Sequence, residues 1–537
     1  MREKFARWHI LYLRYLKRDW KMILIWVLLL GFFSGGLVPA FEEMAKGQGL
    51  VGMFETMKNP AMISMVGPTP AKTASDYTLG AMYAQEMLLF CGLFAMIIAA
   101  LHVVSHTRKE EEQGLLELIR SFQVGRQANS MAVMLESLTI NLLLALVSSG
   151  IMISFQADTI TTEGSMLFGL SVGMAGLMGG ILALVFAQLS QSASGATGFS
   201  MAVIGILYIL RGVTDVSAPS LSIFNPMGWT YLTYPLTENN WYPLCFGLVF
   251  ILILAVLSFA LEDQRDMGAG YLPVREGRAH AGKTLLSLPG LFLRLNRGVI
   301  IAWQITFFIL GAAYGSIYGD MQSFLESNEM IQQMFSYTGI SIEASFTSTI
   351  MMVMIAIACI LPILIMNKLF AQENGQYLSQ LYSTKITRSG LFITTILIAV
   401  INGALGIFVS VLGLGGTAIA VLSGKGDMVF GDYVAAGFGY FPAMLFLIGL
   451  TAIVLGFCPR FGKIIYIYLG YNFAVNYFGN LIDLPEVVKK SALLSWFPRL
   501  PAEEFDSTVF AVITILGILL IVVGYLGYIR RDRMEGA

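Results

Sequence analysis

Runs of about 18–25 apolar residues recur along the whole chain, and they leave few folds open. A bilayer core takes about 20 helical residues to cross, and inside it each backbone amide must be satisfied within its own segment. The chain therefore reads as all-α and polytopic, with the lipid bilayer as its first partner. Composition agrees. Only 12% of residues are charged and mean hydropathy is +0.72, whereas soluble domains carry about twice that charge. A net charge of −1 suggests no nucleic-acid partner.

Twelve spans are expected. The first half holds Met22–Ala40, Leu79–Val104, Ala132–Ile153, Met166–Leu189, Thr197–Leu210 and Leu244–Leu261. The second holds Val299–Ile317, Ser348–Met366, Gly390–Leu412, Tyr433–Cys458, Ile464–Phe478 and Phe510–Leu526. The fifth and eleventh are short, a pattern that can mark broken or re-entrant helices. An even number of spans puts both termini on one side. That side carries about 25 of the 33 Lys and Arg, so the positive-inside rule predicts cytosolic termini in a cell (cytoplasmic) membrane. Residues 1–21 alternate aromatic and basic side chains, from Phe5 and Trp8 to Trp20, which suits an amphipathic helix on the inner leaflet. A basic flank that only sets topology is the plainer alternative.

Between the second and third spans lies a charged elbow, Arg108-Lys-Glu-Glu-Glu-Gln-Gly-Leu-Leu-Glu-Leu-Ile-Arg120, ending at Arg126. A degenerate copy follows the eighth span, from Gln372-Glu-Asn-Gly to Arg388. Aligning Glu112 and Gly114 with Glu373 and Gly375 brings Arg126 to Arg388 after a one-residue insertion. Leu115, Leu118, Ile119 and Phe122 fall on one helical stripe, and Gly114 can turn the chain before it. A solvated loop would explain one such segment; its recurrence favours a short helix that docks on a cytosolic partner. Arg265-Asp266 and Arg531-Asp532 close the two halves. Long outside segments, 41–78 and 318–347, follow the first span of each half. Each half has six spans, so the halves, 22–261 and 298–537, repeat in parallel, joined by a cytosolic linker at 262–297.

The run Glu-Glu-x-Gly-x-x-Glu-Leu at 111–118, with its terminal Arg, resembles the coupling helix of type-2 ABC exporter permeases. The chain as a whole resembles their fused twelve-span branch, the antibiotic or polyketide-type exporters. Phe224-Asn-Pro-Met-Gly-Trp229, Arg265-Asp-Met-Gly-Ala-Gly-Tyr-Leu-Pro273 and Leu493-Leu-Ser-Trp-Phe-Pro498 occur in the matching order. Two departures stand out: Asn225 replaces the usual Ser, and the second elbow is poor in acids. The resemblance implies a permease that exports amphiphilic drugs, antibiotics or peptides by alternating access. This chain would bind no cofactor. ATP and Mg²⁺ would sit on two copies of a separate cytosolic ABC ATPase, docked through Glu112, Gly114, Glu117, Arg126, Glu373, Gly375 and Arg388. The chain itself would not be an enzyme.

Several features invite sharper readings. Gly277-Arg-Ala-His-Ala-Gly-Lys-Thr284 matches a P-loop letter for letter, but Pro273 and charges precede it instead of a strand, and the linker is too short for a nucleotide-binding domain. His102 and His106 share a helical face, yet Val103 breaks the zinc-protease pattern, so they read as packing or capping residues. Cys91, Cys245, Cys359 and Cys458 show no paired spacing and read as small core hydrophobes; no metal site is expected. Glu86, two turns inside the second span, is the main intramembrane acid, and Arg211 could pair with it or with Asp215. Glu86, Arg211, Asn141, Asn402 and Asn472 are candidates for a translocation path or gate, with helix–helix hydrogen bonding as the alternative for the amides. Gly169/Gly173 and Gly176/Gly180 read as close helix contacts. A proton-coupled secondary transporter is the rival function. It calls for several buried acids, where the sequence suggests essentially Glu86.

Overall fold

The computed structural model describes residues 4–47, 49–58, 60–272, 279–320, 341–422, 426–478 and 485–531. Most of the outside segment at 318–347, the start of the P-loop match at Gly277 and Arg278, and Asp532 lie outside these residues. The described chain is helical with no strand. It divides into two compact units, Met1–Glu276 and Gly277–Ala537, whose junction falls within 262–297.

In the first unit, α1 (Trp8–Gly35) runs without interruption from the basic arm into the first span. In place of the separate surface helix expected for residues 1–21, the described part of the arm forms the first turns of a spanning helix. The physical reason is local: Tyr15 packs at 4% exposure and donates to Asn129, so the arm is held against the bundle instead of lying flat. Three short helices follow, α2 (Val38–Met44), α3 (Gly49–Met57) and α4 (Pro60–Val66). Then come α5 (Leu79–His106), the elbow helices α6 (Arg108–Glu112) and α7 (Leu115–Arg120), α8 (Ala128–Ser154), α9 (Thr162–Leu189), α10 (Ala193–Ser217), the single turn α11 (Gly228–Tyr231) and α12 (Tyr242–Gln264).

The second unit repeats the order: α13 (Leu288–Ser316), α14 (Ile342–Ala358), α15 (Ile360–Asn374), the elbow turn α16 (Leu378–Tyr382), α17 (Arg388–Leu422), α18 (Phe430–Phe438), α19 (Phe441–Phe457), α20 (Ile464–Phe478), α21 (Glu486–Ser491) and α22 (Ser507–Arg530). In both units the first long helix packs on the third, and the fourth packs on the sixth: α1 on α8 and α9 on α12, then α13 on α17 and α19 on α22.

Starts and breaks follow from sequence. Side-chain oxygens of Thr78, Thr161, Ser192, Ser287 and Asp506 accept from the free amides at the starts of α5, α9, α10, α13 and α22. Three long helices are interrupted, and each break ends four residues before a proline. Gly35 precedes Pro39, Ala358 precedes Pro362, and Phe438 precedes Pro442. A proline ring clashes with the carbonyl four residues back and supplies no amide to it.

Eleven helical stretches among the described residues are long and apolar enough to span a membrane. The fifth, Ala193–Ser217, is 25 residues long and not short as expected, because Ser192 caps it and it continues past the polar Arg211. The eleventh expected span, α20, has 15 described residues. At about 1.5 Å per residue it reaches about 22 Å, short of a ~30 Å core. Outward faces of α1, α12 and α22 carry rows such as Leu252, Ile253 and Val256, a surface suited to lipid. The α8–α9 seam explains the glycine pairs. A Cβ on Gly176 would stand 1.8 Å from Asn141 Oδ1, and one on Gly169 2.3 Å from Ser149 Oγ. Cys91 and Cys359 are buried, but Cys245 and Cys458 are exposed, so only two of the four cysteines are core residues.

Candidate functional site

In the first elbow, α5 ends at His106 and α6 carries the acidic run. Gly114 then adopts φ +76 and starts α7. Nothing lies within 4 Å of where its Cβ would be, so the requirement for glycine there is one of backbone conformation and not of space. Leu116 is the anchor, at 5% exposure. Leu115, Leu118 and Phe122 point outward at 44%, 63% and 66%. The stripe expected to face a partner is thus exposed at three of its four positions.

Glu111, not Glu112, is the pivot. Its carboxylate accepts both ends of the Arg265 guanidinium, at 2.8 and 2.9 Å. It also accepts from Arg108 Nη1 at 2.9 Å and from the Gly268 amide at 2.7 Å. Arg265 lies just past α12, and its Nε donates to Gln188 Oε1 at 3.1 Å. Gln188, at the end of α9, is thereby part of this network. Arg126 donates to the Arg265 carbonyl, and Arg120 stands 3.7 Å from Glu262. The elbow is therefore latched to the end of the last helix in its unit. The N-terminal arm joins it: the Gly125 and Gln127 amides donate to the Ala6 and Lys4 carbonyls, and Lys4 pairs with Asp263 at 2.7 Å.

The second unit builds the same latch. Arg531 donates to Glu373, and Arg388 donates to the carbonyls of Arg531 at 2.8 Å and Tyr528 at 2.7 Å. Leu378 is the buried anchor, at 3%. The correspondence therefore runs one residue earlier than the sequence alignment: Glu111 with Glu373, Leu116 with Leu378, Arg126 with Arg388, all offset by 262 (373 − 111 = 388 − 126). No insertion is needed. On this register Gly114 matches Gln376, and Gln376 indeed takes φ +59. Gly375 has φ −78 and does not turn the chain. Where the first elbow has Arg120 against Glu262, the second has the Tyr382 and Tyr528 hydroxyls 3.4 Å apart.

The remaining predicted residues fall in different places. Glu112 is exposed and accepts from the Ala193 amide at 3.0 Å, capping α10. Glu117 is exposed on α7. Arg211 is fully buried and pairs with Asp215 at 2.9 Å, not with Glu86. It also donates to the Ser64 and Met65 carbonyls of α4, and Asp215 accepts from Ser222 and Tyr231. This network fastens α4, Ser222 and Tyr231 onto α10. Asn225, the departure from the family's Ser, accepts from the Met227 amide at 2.9 Å and donates to Leu207 O at 2.8 Å, so it holds the turn before α11.

Asn141, Asn402 and Asn472 each donate to the carbonyl four residues back at 2.8 Å. Asn472 also accepts from Leu494 N at 3.1 Å. Asn141 alone of the three borders a cavity of about 290 Å³ between α1, α5 and α8. Glu86 Oε1 is buried and accepts no hydrogen bond among the described residues. The expectation of essentially one buried acid fails. Glu136 is 0% exposed, and Glu343, at 6%, accepts from Tyr433 Oη and Asp427 N, each at 2.9 Å. A single acid in an apolar helix, such as Glu136, gives no periodic signal. The Glu111 latch was legible in the equal spacing of Glu111–Arg126 and Glu373–Arg388.

An all-helical chain with eleven candidate spans and two latched elbows is a multi-pass membrane protein. Comparison with known proteins gives the class more content. The chain is 26% identical to the multidrug efflux system permease protein Rv1217c of Mycobacterium tuberculosis over 526 residues, covering 96% of this chain and 94% of that one. The family described as "Multidrug efflux system permease Rv1217c, C-terminal domain" matches residues 285–529. A sodium/pantothenate symporter of Haemophilus influenzae is 28% identical over 118 residues, 21% of this chain and 24% of its own. The full-length similarity supports a membrane permease.

Proposed function

We propose that this chain is the permease of a multidrug efflux system, moved by two copies of a separate ATPase that bind the elbows. The observation that carries the reading is the double latch: two elbows, each tied by a Glu–Arg contact to the end of the last helix of its unit. A push on either elbow is transmitted to a spanning helix through a buried, directional contact and not through a loose loop. The full-length similarity to a multidrug efflux permease supports efflux as the transport direction and drugs as the substrate class. ATP closing a dimeric motor would favour one arrangement of the permease through its differential affinity for the closed state. The termini and elbows would face the cytosol of a cell membrane, as the charge distribution suggests.

Glu117→Lys is the clean probe, because Glu117 is exposed whereas Glu112 caps α10. The full chain purified from its native membrane should retain an ATPase, and Glu117→Lys should reduce that retention without shifting its melting temperature. A purified chain that moves substrate on a pH gradient, with no ATPase present, would instead establish the proton-coupled carrier. The additional buried acids give that rival its content.

A further inference from the structure

At the elbow end of α5, side chains from three helices converge on a group that the latch does not use. We propose that His102, His106 and Glu136 form a binding site for one divalent transition-metal ion of the Zn²⁺ class. His102 and His106 are one helical turn apart on α5, and Glu136 reaches them from α8. One donor atom from each lies within 4.8 Å of the others. His102 Nε2 stands 3.3 Å from Glu136 Oε2 without hydrogen-bond geometry. His106 Nε2 hydrogen-bonds Asp19 Oδ2 on α1 at 3.0 Å. In a tetrahedral site with bonds of about 2.0–2.1 Å, neighbouring donors are about 3.3 Å apart. The His102–Glu136 and His106–Asp19 contacts are near this size, the remaining pairs among His102, His106 and Glu136 lie within 4.8 Å, and Asp19, which touches His106, would have to move inward to join as a fourth ligand.

Three further observations favour a cation. Glu136 is 0% exposed, yet neither of its oxygens accepts a hydrogen bond among the described residues. A buried carboxylate left in that state is costly unless a positive charge compensates it. His106 Nδ1 lies 2.9 Å from its own helix carbonyl at His102. Donation there would free Nε2 to ligate an ion, which would replace the hydrogen bond that Nε2 makes to Asp19; backbone carbonyls orient metal-binding imidazoles in this way. The charge balance is also short. Arg18 bonds Asp19 and Glu110, and with Glu136 the cluster holds three carboxylates against one guanidinium. With neutral imidazoles the sum is 1 − 3 = −2, which one divalent ion balances. Imidazole nitrogen with carboxylate oxygen suits Zn²⁺ and its first-row neighbours. The cavity between α1, α5 and α8 reaches Asp19, His102 and His106 and offers an entry path. The Glu comes from another helix 30 residues beyond His106 (136 − 106), so no local motif announces it.

Two protonated imidazoles would also balance the carboxylates, and the experiment separates the two cases. The full chain is purified in detergent with a histidine-free tag, stripped with chelator and titrated with Co²⁺. The expected result is one Co²⁺ per chain with the intense visible bands of a four-coordinate ion, displaced by Zn²⁺. Zn²⁺ should also raise the wild-type melting temperature. His102→Gln and Glu136→Gln should each bind at least about tenfold more weakly. If Glu136→Gln does not fold, His106→Gln and the wild-type melting shift still decide the matter. Wild-type protein that takes up no Co²⁺ and shows no Zn²⁺ shift overturns the site and leaves the proton-balanced cluster. Variants that keep wild-type stoichiometry and affinity overturn it as well.

Discussion

Glu111→Gln is the perturbation that most directly tests the latch. Glu111 and Arg265 are each 6% exposed, so solvent screens their contact little. The change removes the anion facing two guanidiniums, and four hydrogen bonds to it are lost or weakened. At about 1.5–3 kcal/mol for each bond to a charged group, the gross sum would exceed 6 kcal/mol. Such bonds are not additive, and the glutamine keeps one acceptor oxygen. The cost of breaking a buried pair, about 3–5 kcal/mol, is the better figure. A domain of 150–250 residues loses about 2–4 °C per kcal/mol, and the 276-residue first unit belongs at the low end, so a fall of about 6–10 °C is expected. The assay is the fluorescence-detected melting of the full chain in detergent. Adding Arg265→Gln should recover part of the loss, a coupling of about 1–3 kcal/mol in the double-mutant cycle. Glu373→Gln should cost less, about 1.5–3 kcal/mol, because one arginine holds it where two hold Glu111. A Glu111→Gln protein that melts within about 1 °C of wild type would refute the latch as a structural contact.

Two further substitutions test the local geometry. Gly114→Ala should cost about 1 kcal/mol through its φ of +76, while Gln376→Gly, at the matching turn, should stabilise by about as much; both are read by melting temperature. Gly176→Ala should cost about 1–3 kcal/mol against Asn141, and Asn141→Ala in the same chain should recover most of it; equal melting of the single and double variants would exclude the contact.

Much of this architecture is legible in the sequence because the bilayer demands long apolar helices with internal hydrogen bonding. The long helices follow from that demand, whereas the breaks before Pro39, Pro362 and Pro442 fall inside three of the expected spans, Met22–Ala40, Ser348–Met366 and Tyr433–Cys458. What escapes is whatever depends on which side chains meet across helices. Aligning glycine to glycine put Gly375 opposite Gly114, but the turn needs only a positive φ, and Gln376 supplies it. Glu111 looked like one of three equivalent acids. The equal spacing of Glu111–Arg126 and Glu373–Arg388 marks it among the three, but its partner, 154 residues away, is what gives it its role. Glu136 was passed over because a single acid in an apolar helix carries no periodicity. Its meaning comes from two histidines on another helix.

The two latches share a topology but not a chemistry, and the difference bears on how the halves would be driven. The first holds its carboxylate with Arg265, Arg108 and the Gly268 amide, and adds an Arg120–Glu262 contact. The second holds Glu373 with Arg531 and stacks Arg388 and Arg531 on the Tyr528 ring, at 4.9 and 5.0 Å. A multiply bonded carboxylate fixes direction as well as distance, whereas a cation on an aromatic face tolerates sliding. The outward surfaces differ in the same sense. Leu118 and Phe122 stand exposed on the first elbow, where the second has Gln380 and Thr384 at the matching positions. If identical motors bind both elbows, the first offers the larger apolar contact and the stiffer connection to its last helix. Each motor stroke would then act mainly through the first unit, with the second following more loosely.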